Sequence, residues 1–145
     1  MLSVVPPGAA RGLDAGCGEG LLAARLRELI PAVTGIDRDA ASIEAARRVH
    51  GRDGLEFRLG DILTAGLEPG SYDFVSCVAA LHHMDAETGL RTLAGLLRPG
   101  GRLAVIGLAT ECSPADWDPR AARAGCPAGG AVQAATSVAL LPGLD

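Results

Sequence analysis

Between residues 10 and 108 the chain alternates short apolar runs with stretches of helical spacing, and no other feature limits its fold as much. RGLDA (11–15) reads as a first strand. Leu22, Leu26, Leu29 and Ile30 then recur at helical intervals until Pro31 stops them. AVTGID (32–37) reads as a second strand, after which Asp39 or Ser42 caps a helix running to about His50, with Gly51 as its stop. LEFRLGD (55–61) and YDFVSCVA (72–79) read as the third and fourth strands. Asp85 caps a helix with Leu90, Leu93 and Leu97 on one face; RPGG (98–101) ends it, and RLAVIGL (102–108) is the fifth strand.

Strands and helices joined in this way predict an α/β fold: a doubly wound, mainly parallel sheet of about five strands with helices on both faces. A length of 145 residues suits one core, and 48% apolar with only 3% aromatic residues makes that core aliphatic. After residue 108 the pattern fades into Ala, Gly and Pro, and residues 131–141 hold at most one short element. The expected organisation is a ligand-binding domain over 1–108 and a partly irregular tail over 109–145.

In such a sheet ligands lie beyond the carboxyl ends of the strands, near the point where strand order reverses. The unusual residues gather at those ends. Gly16, Gly18 and Gly20 follow the first strand, Asp37 ends the second, Asp61 follows the third, and VAALHHM (78–84) follows the fourth. Three glycines within five residues permit a tight turn and close approach of a ligand to the backbone. A carboxylate at Asp37 has acceptor sites for both hydroxyls of a ribose. The spacing speaks against a dinucleotide: counted from Gly16, the fingerprint G-x-G-x-x-G needs glycine at position 21, which is Leu21. Counted from Gly18 it meets Gly20 and then Ala23, a tolerable replacement, so that reading is weakened and stays open. Asp14 would sit badly beside a pyrophosphate and suits a ligand with a positive centre.

Composition narrows the partners. A net charge of −4 argues against nucleic acid and anionic membranes. The small cluster Arg47, Arg48 and Arg52 reads as cations near a helix C-terminus. No run of about 18 apolar residues is present, and the first residues lack the features of a signal peptide. Cys17, Cys77, Cys112 and Cys126 show neither a CxxC pair nor zinc spacing, so no metal site is expected. Reduced, buried thiols suit a cytoplasmic protein.

LDAGCGEG (13–20), GID (35–37), GDI (60–62), YDFVSCVAALHHM (72–84) and LRPGGRLAVIG (97–107) resemble, in this order, the successive motifs of class I S-adenosylmethionine-dependent methyltransferases. In style they are most similar to the small-molecule enzymes of ubiquinone and menaquinone biosynthesis. The resemblance implies a Rossmann-like sheet, S-adenosyl-L-methionine as cofactor, and methyl transfer to a small-molecule acceptor. It places Asp14 at the methionine part of the cofactor, with the backbone of Gly16, Cys17 and Gly18 lying against it. Asp37 would hold the ribose hydroxyls, with Arg38 near the adenine. Asp61 would accept from the adenine amino group, Ile62 would pack on the ring, and Val78 would offer its carbonyl to the cofactor's amino group. His83 falls in the LHH stretch, where a packed histidine bonded to backbone is an equally good reading.

No catalytic residue is assigned. Methyl transfer from a sulfonium is an in-line displacement that chiefly needs donor and acceptor held in line. A general base enters only where the acceptor's proton must leave early. Against the family pattern the chain looks short at both ends. The final antiparallel strand pair is expected to be missing, leaving the fifth strand an exposed edge that a homodimer would cover. The alternatives are a truncated, non-catalytic S-adenosylmethionine-binding module and an NAD-binding oxidoreductase domain.

Overall fold

The computed structural model describes residues 2–78, 80, 85–109 and 135–142. Strands β1 (Arg11–Ala15), β2 (Ala32–Asp37), β3 (Leu55–Leu59), β4 (Tyr72–Val78), β5 (Leu97–Ala109) and β6 (Ala135–Pro142) form one sheet in the order β3-β2-β1-β4-β5-β6. The first five run parallel, and β6 runs antiparallel to β5. Strand order therefore reverses between β1 and β4, where a doubly wound sheet opens a crevice.

Period-two alternation along the strands sends side chains to both faces. On one face α1 (Leu21–Leu26) and α2 (Ala40–His50) bury Leu26, Ile43 and Ala46 with Val33, Phe57 and Phe74. On the other face α3 (Ala86–Gly95) sets Leu93 against Leu13, Ile36, Val75 and Leu103. Among the described residues no helix is long and apolar enough to cross a membrane.

Local chemistry fixes the helix starts. Asp39 Oδ2 accepts from the Ser42 N–H at 2.9 Å, and Asp85 Oδ1 accepts from the Thr88 N–H at 2.8 Å. Each bond satisfies a donor that the first helical turn leaves unpaired. The first helix ends earlier than its apolar spacing predicts. After Leu26 the chain tightens, with the Leu29 and Ile30 N–H groups both donating to the Leu26 carbonyl. Ile30 is thereby buried while Leu29 stays exposed.

The segment RPGG does not form a loop after α3 but an irregular start to β5. Tyr72 pairs with Leu97 and Phe74 with Arg102, so Arg98 to Gly101 bulge from the ladder. Arg98 in that bulge is ion-paired with Asp73. Asp73, itself buried, also accepts from the Ala10 and Arg11 N–H groups at 2.8 Å each. One carboxylate thus ties the starts of β1, β4 and β5 together at the end of the sheet opposite the crevice. Two arginines of the basic cluster serve the fold as well: Arg47 donates to the Phe57 carbonyl and Arg52 to the Ala24 carbonyl.

The far end differs from expectation by one strand. Five parallel strands are present as the sequence predicts, and one antiparallel strand is added, pairing Arg102–Ala109 with Ala135–Pro142. The edge of β5, which suggested cover by a second copy, is covered by the chain itself. The run ATSVALLP, with β-branched Thr136 and Val138, suits a strand. It is short and surrounded by Ala, Gly and Pro, so its periodicity is weak in the sequence.

Candidate functional site

The turn after β1 is held by its own amides. The N–H groups of Gly16 and Cys17 both donate to the Ile36 carbonyl, at 2.8 and 3.0 Å. Gly18 N–H donates to Asp37 Oδ2 at 2.8 Å, and Gly20 N–H to the Cys17 carbonyl at 2.9 Å. Two of the glycines are required by both conformation and space. Gly16 has φ +73°, and a Cβ there would lie 2.4 Å from the Ala80 Cβ. Gly20 has φ +84°, and its Cβ would meet the Phe57 ring at 2.6 Å. Side chains rarely adopt such φ values, and neither contact is compatible with one. At Gly18 nothing lies within 4 Å of the place a Cβ would take, so the loop faces open space there. These four donors are turned inward, and the loop presents a small-residue floor.

Above this floor lies a cleft of about 420 Å³, within the roughly 300–1,000 Å³ usual for small-molecule sites. It takes Gly16 from the loop, Asp37 and Arg38 from the end of β2, Asp61 and Ile62 after β3, and Val78 from β4. Six of the residues predicted from the sequence thus converge on one cavity at the reversal point. Asp14, Cys17 and Gly18 are not among its lining residues. Gly18 reaches it through Asp37, and His83 lies outside the described residues.

Asp37 is the hinge of the arrangement. Its Oδ2 holds the Gly18 amide, and its Oδ1 accepts from the Asp39 N–H at 2.9 Å. Helix capping falls to Asp39, and each Asp37 oxygen keeps a second lone pair for a ligand. Across the cleft Asp61 Oδ1 accepts from the Leu63 N–H at 2.9 Å, and its Oδ2 lies 3.6 Å from the Arg38 guanidinium. Both side chains of that pair are solvated, so it orders the rim more than it stabilises the fold. Ile62 is buried against the same wall.

Asp14 sits below the loop, only 1% exposed. Its Oδ1 accepts from the Ser76 hydroxyl at 2.8 Å, while Oδ2 has no hydrogen-bond partner among the described residues. Burial raises its carboxyl to about 7, against the lowering pull of the Ser76 hydroxyl and the Ala23 backbone, with Asp37 adding to the rise. Cys17 is pushed up to about 12 by burial and by the charges of Asp14 and Asp37. Its side chain packs into the core beside Ala23 and Phe57, so any contact with a ligand falls to its backbone.

Sequence reasoning missed three participants. Asp39 and Asp85 line the cleft besides capping their helices, and Ser76 partners Asp14. Signals existed for two. Asp85 follows the fourth strand in the sequence as a helix cap, hence at the crevice end of the sheet. Ser76 is a polar residue set between the buried Phe74, Val75 and Cys77 of β4. Among the described residues no group of His, Cys, Asp and Glu is arranged to hold a metal ion.

Comparison with known proteins points the same way. A family model described as a methyltransferase domain matches residues 13–105. An uncharacterized methyltransferase of Mycobacterium tuberculosis is 44% identical over 109 residues, covering 74% of this chain and 55% of that protein. A ubiquinone biosynthesis O-methyltransferase of Xanthomonas euvesicatoria is 38% identical over 98 residues, covering 65% of this chain and 41% of its own length. The crystal structure of an S-adenosylmethionine-dependent methyltransferase from Mesorhizobium loti superposes with a TM-score of 0.65 at 26% identity, over 73% of this chain and 51% of that one. The chain spans about half the length of these proteins.

Proposed function

The chain belongs to the family of methyltransferase domains, and from that premise we propose that its cleft binds S-adenosylmethionine and directs the methyl group to a small-molecule acceptor. The observation that carries this reading is the convergence of Gly16, Asp37, Asp61, Ile62 and Val78 on one cavity where strand order reverses. Asp37 accepts from the ribose hydroxyls through its remaining lone pairs. Ile62 packs on the adenine, Asp61 accepts from its amino group, and Arg38 closes the rim beside it. The Val78 carbonyl accepts from the ligand's ammonium, and the Asp14 carboxylate offsets its charge from below. Gly18, with open space over it, lets the ligand lie against the backbone. When bound, the cofactor supplies a methyl group already activated by its sulfonium. The protein's part is alignment and exclusion of water.

Two features favour this ligand over a dinucleotide. The amides of Gly16, Cys17, Gly18 and Gly20 are engaged within the protein, so a pyrophosphate finds no cradle there. Among the described residues the cleft walls carry Asp37, Asp39, Asp61 and Asp85 against one arginine, Arg38, a balance that attracts a cation and repels a diphosphate. The ubiquinone O-methyltransferase relatives support a small-molecule acceptor. Calorimetric titration with S-adenosylmethionine, S-adenosylhomocysteine and NAD tests the reading. Binding of the first two without NAD is the expected result, and preference for NAD would overturn it. Methyl transfer to an acceptor panel, followed by mass, then separates an enzyme from a binding module.

A further inference from the structure

We propose that Ser76 is a positioning residue for the cofactor: it engages one oxygen of Asp14 and keeps the other for the ligand's cationic methionine end. The inference rests on the reading of the cleft as an S-adenosylmethionine site. Asp14 and Ser76 are register partners on β1 and β4, the two strands between which the order reverses. Both side chains are buried, at 1% and 0% exposure. The Ser76 hydroxyl lies 2.8 Å from Asp14 Oδ1 and 3.3 Å from the Leu13 carbonyl; the Ala23 backbone acts on the same carboxyl, yet no hydrogen bond is completed to Oδ2 among the described residues. A buried carboxyl oxygen left without a partner is unfavourable for folding, so its presence points to a partner that arrives with the ligand.

The hydroxyl's two neighbours let it serve either form of the carboxyl. With Asp14 ionised, the single hydroxyl hydrogen goes to Oδ1. With Asp14 protonated on Oδ1, Ser76 accepts that proton's hydrogen bond and turns its own hydrogen to the Leu13 carbonyl. Ser76 therefore holds the carboxyl in one orientation before and after ionisation. Burial holds Asp14 near pH 7, so the arrival of a cationic group is enough to favour the carboxylate. Among the described residues, the ionisable groups facing Asp14 are Asp37 at the end of β2 and Cys17 in the loop. The Cys17 thiol, pushed up to about 12, stays neutral throughout this range.

The test is the affinity for S-adenosylmethionine, measured calorimetrically from about pH 6 to about pH 9, for the wild type and for Ser76→Ala, Ser76→Thr and Asp14→Asn. The wild type is expected to bind more tightly as pH rises through the Asp14 titration. Ser76→Ala is expected to bind at least ~10-fold more weakly at neutral pH, the scale of one charge-assisted hydrogen bond, and to recover part of that loss at the alkaline end. Ser76→Thr, which keeps the hydroxyl, is expected to follow the wild-type profile, and Asp14→Asn to bind weakly at every pH. A Ser76→Ala loss of the same factor at all pH values would overturn the proposal, as would wild-type affinity in that variant. Should Ser76→Ala fail to fold, a pH slope in Asp14→Asn equal to the wild type's overturns it instead. No binding by the wild type at any pH would sink the cofactor reading itself, a result distinct from these.

Discussion

The backbone N–H of Gly18 donates to Oδ2 of Asp37 at 2.8 Å, across 19 residues of sequence and between neighbouring strand ends. The residue proposed to hold the ribose therefore also fastens the loop beneath it. Ligand recognition and loop geometry share one carboxylate, and a change at Asp37 acts on both.

Asp37→Ala removes the proposed ribose acceptor and releases the Gly18 and Asp39 amides together. The expected outcome is at least ~100-fold weaker S-adenosylmethionine binding, because more than one charge-assisted hydrogen bond is lost. Asp37→Asn, which keeps one carbonyl oxygen, should fall between that variant and the wild type. Calorimetry on the three proteins gives the order, and equal affinities for Asn and Ala would contradict the dual role.

Asp39 offers the control. It caps α2 and touches the cleft only at its wall, so Asp39→Ala should lower stability through the loss of an N-cap. Affinity should change by less than about threefold, since no ligand-directed hydrogen bond is lost. Urea denaturation and titration read the two quantities separately.

The buried Asp14 makes stability fall as pH rises. Its folded value is about 7, whereas a carboxyl in an unfolded chain titrates at about 3.9. Between those values the folded form holds the extra proton, so the slope of stability against pH is negative. Below the unfolded value the penalty is absent. Above the folded value it is complete, on the order of 4 kcal/mol. Asp14→Asn cannot ionise. By calorimetric melting it should exceed the wild type in stability at about pH 8.5, with the advantage shrinking toward about pH 4.5. An advantage independent of pH would contradict the burial argument. A gain in stability joined to a loss of binding is the pattern expected of a functional buried charge.

Gly20→Ala meets both the positive φ and the Phe57 ring. It should cost about 2–4 kcal/mol in urea unfolding, the sum of a left-handed conformation and an overpacked contact. Gly18→Ala meets only the first and should cost about 1–2 kcal/mol. Equal effects at the two positions would show that the ring contact does not constrain the turn.

Much of this was legible in the chain because local and tertiary signals agree there. RGLDA and AVTGID form strands with the predicted bounds, Asp85 caps α3 as expected, and of the two candidates Asp39 and Ser42 it is Asp39 that caps α2. The strand-end acids converge because a parallel sheet places all its carboxyl ends on one side. What sequence left hidden depends on register. That Ser76 stands opposite Asp14 follows from how β1 and β4 align, which no local pattern encodes. The inward-turned amides follow from the Ile36 carbonyl lying beneath the loop, and β6 from a pairing across an intervening stretch with weak periodicity of its own.

We propose that the cleft at the ends of β1 to β4 is the cofactor site. The most direct measurement is an amide-resolved NMR titration of the wild type with S-adenosylhomocysteine. Saturable shifts are expected at Gly16, Gly18, Arg38, Ile62 and Val78, with the amides at the opposite end of the sheet, such as Arg11, Asp53 and Tyr72, unmoved. Shifts confined to that opposite end, or none at saturating ligand, would contradict it.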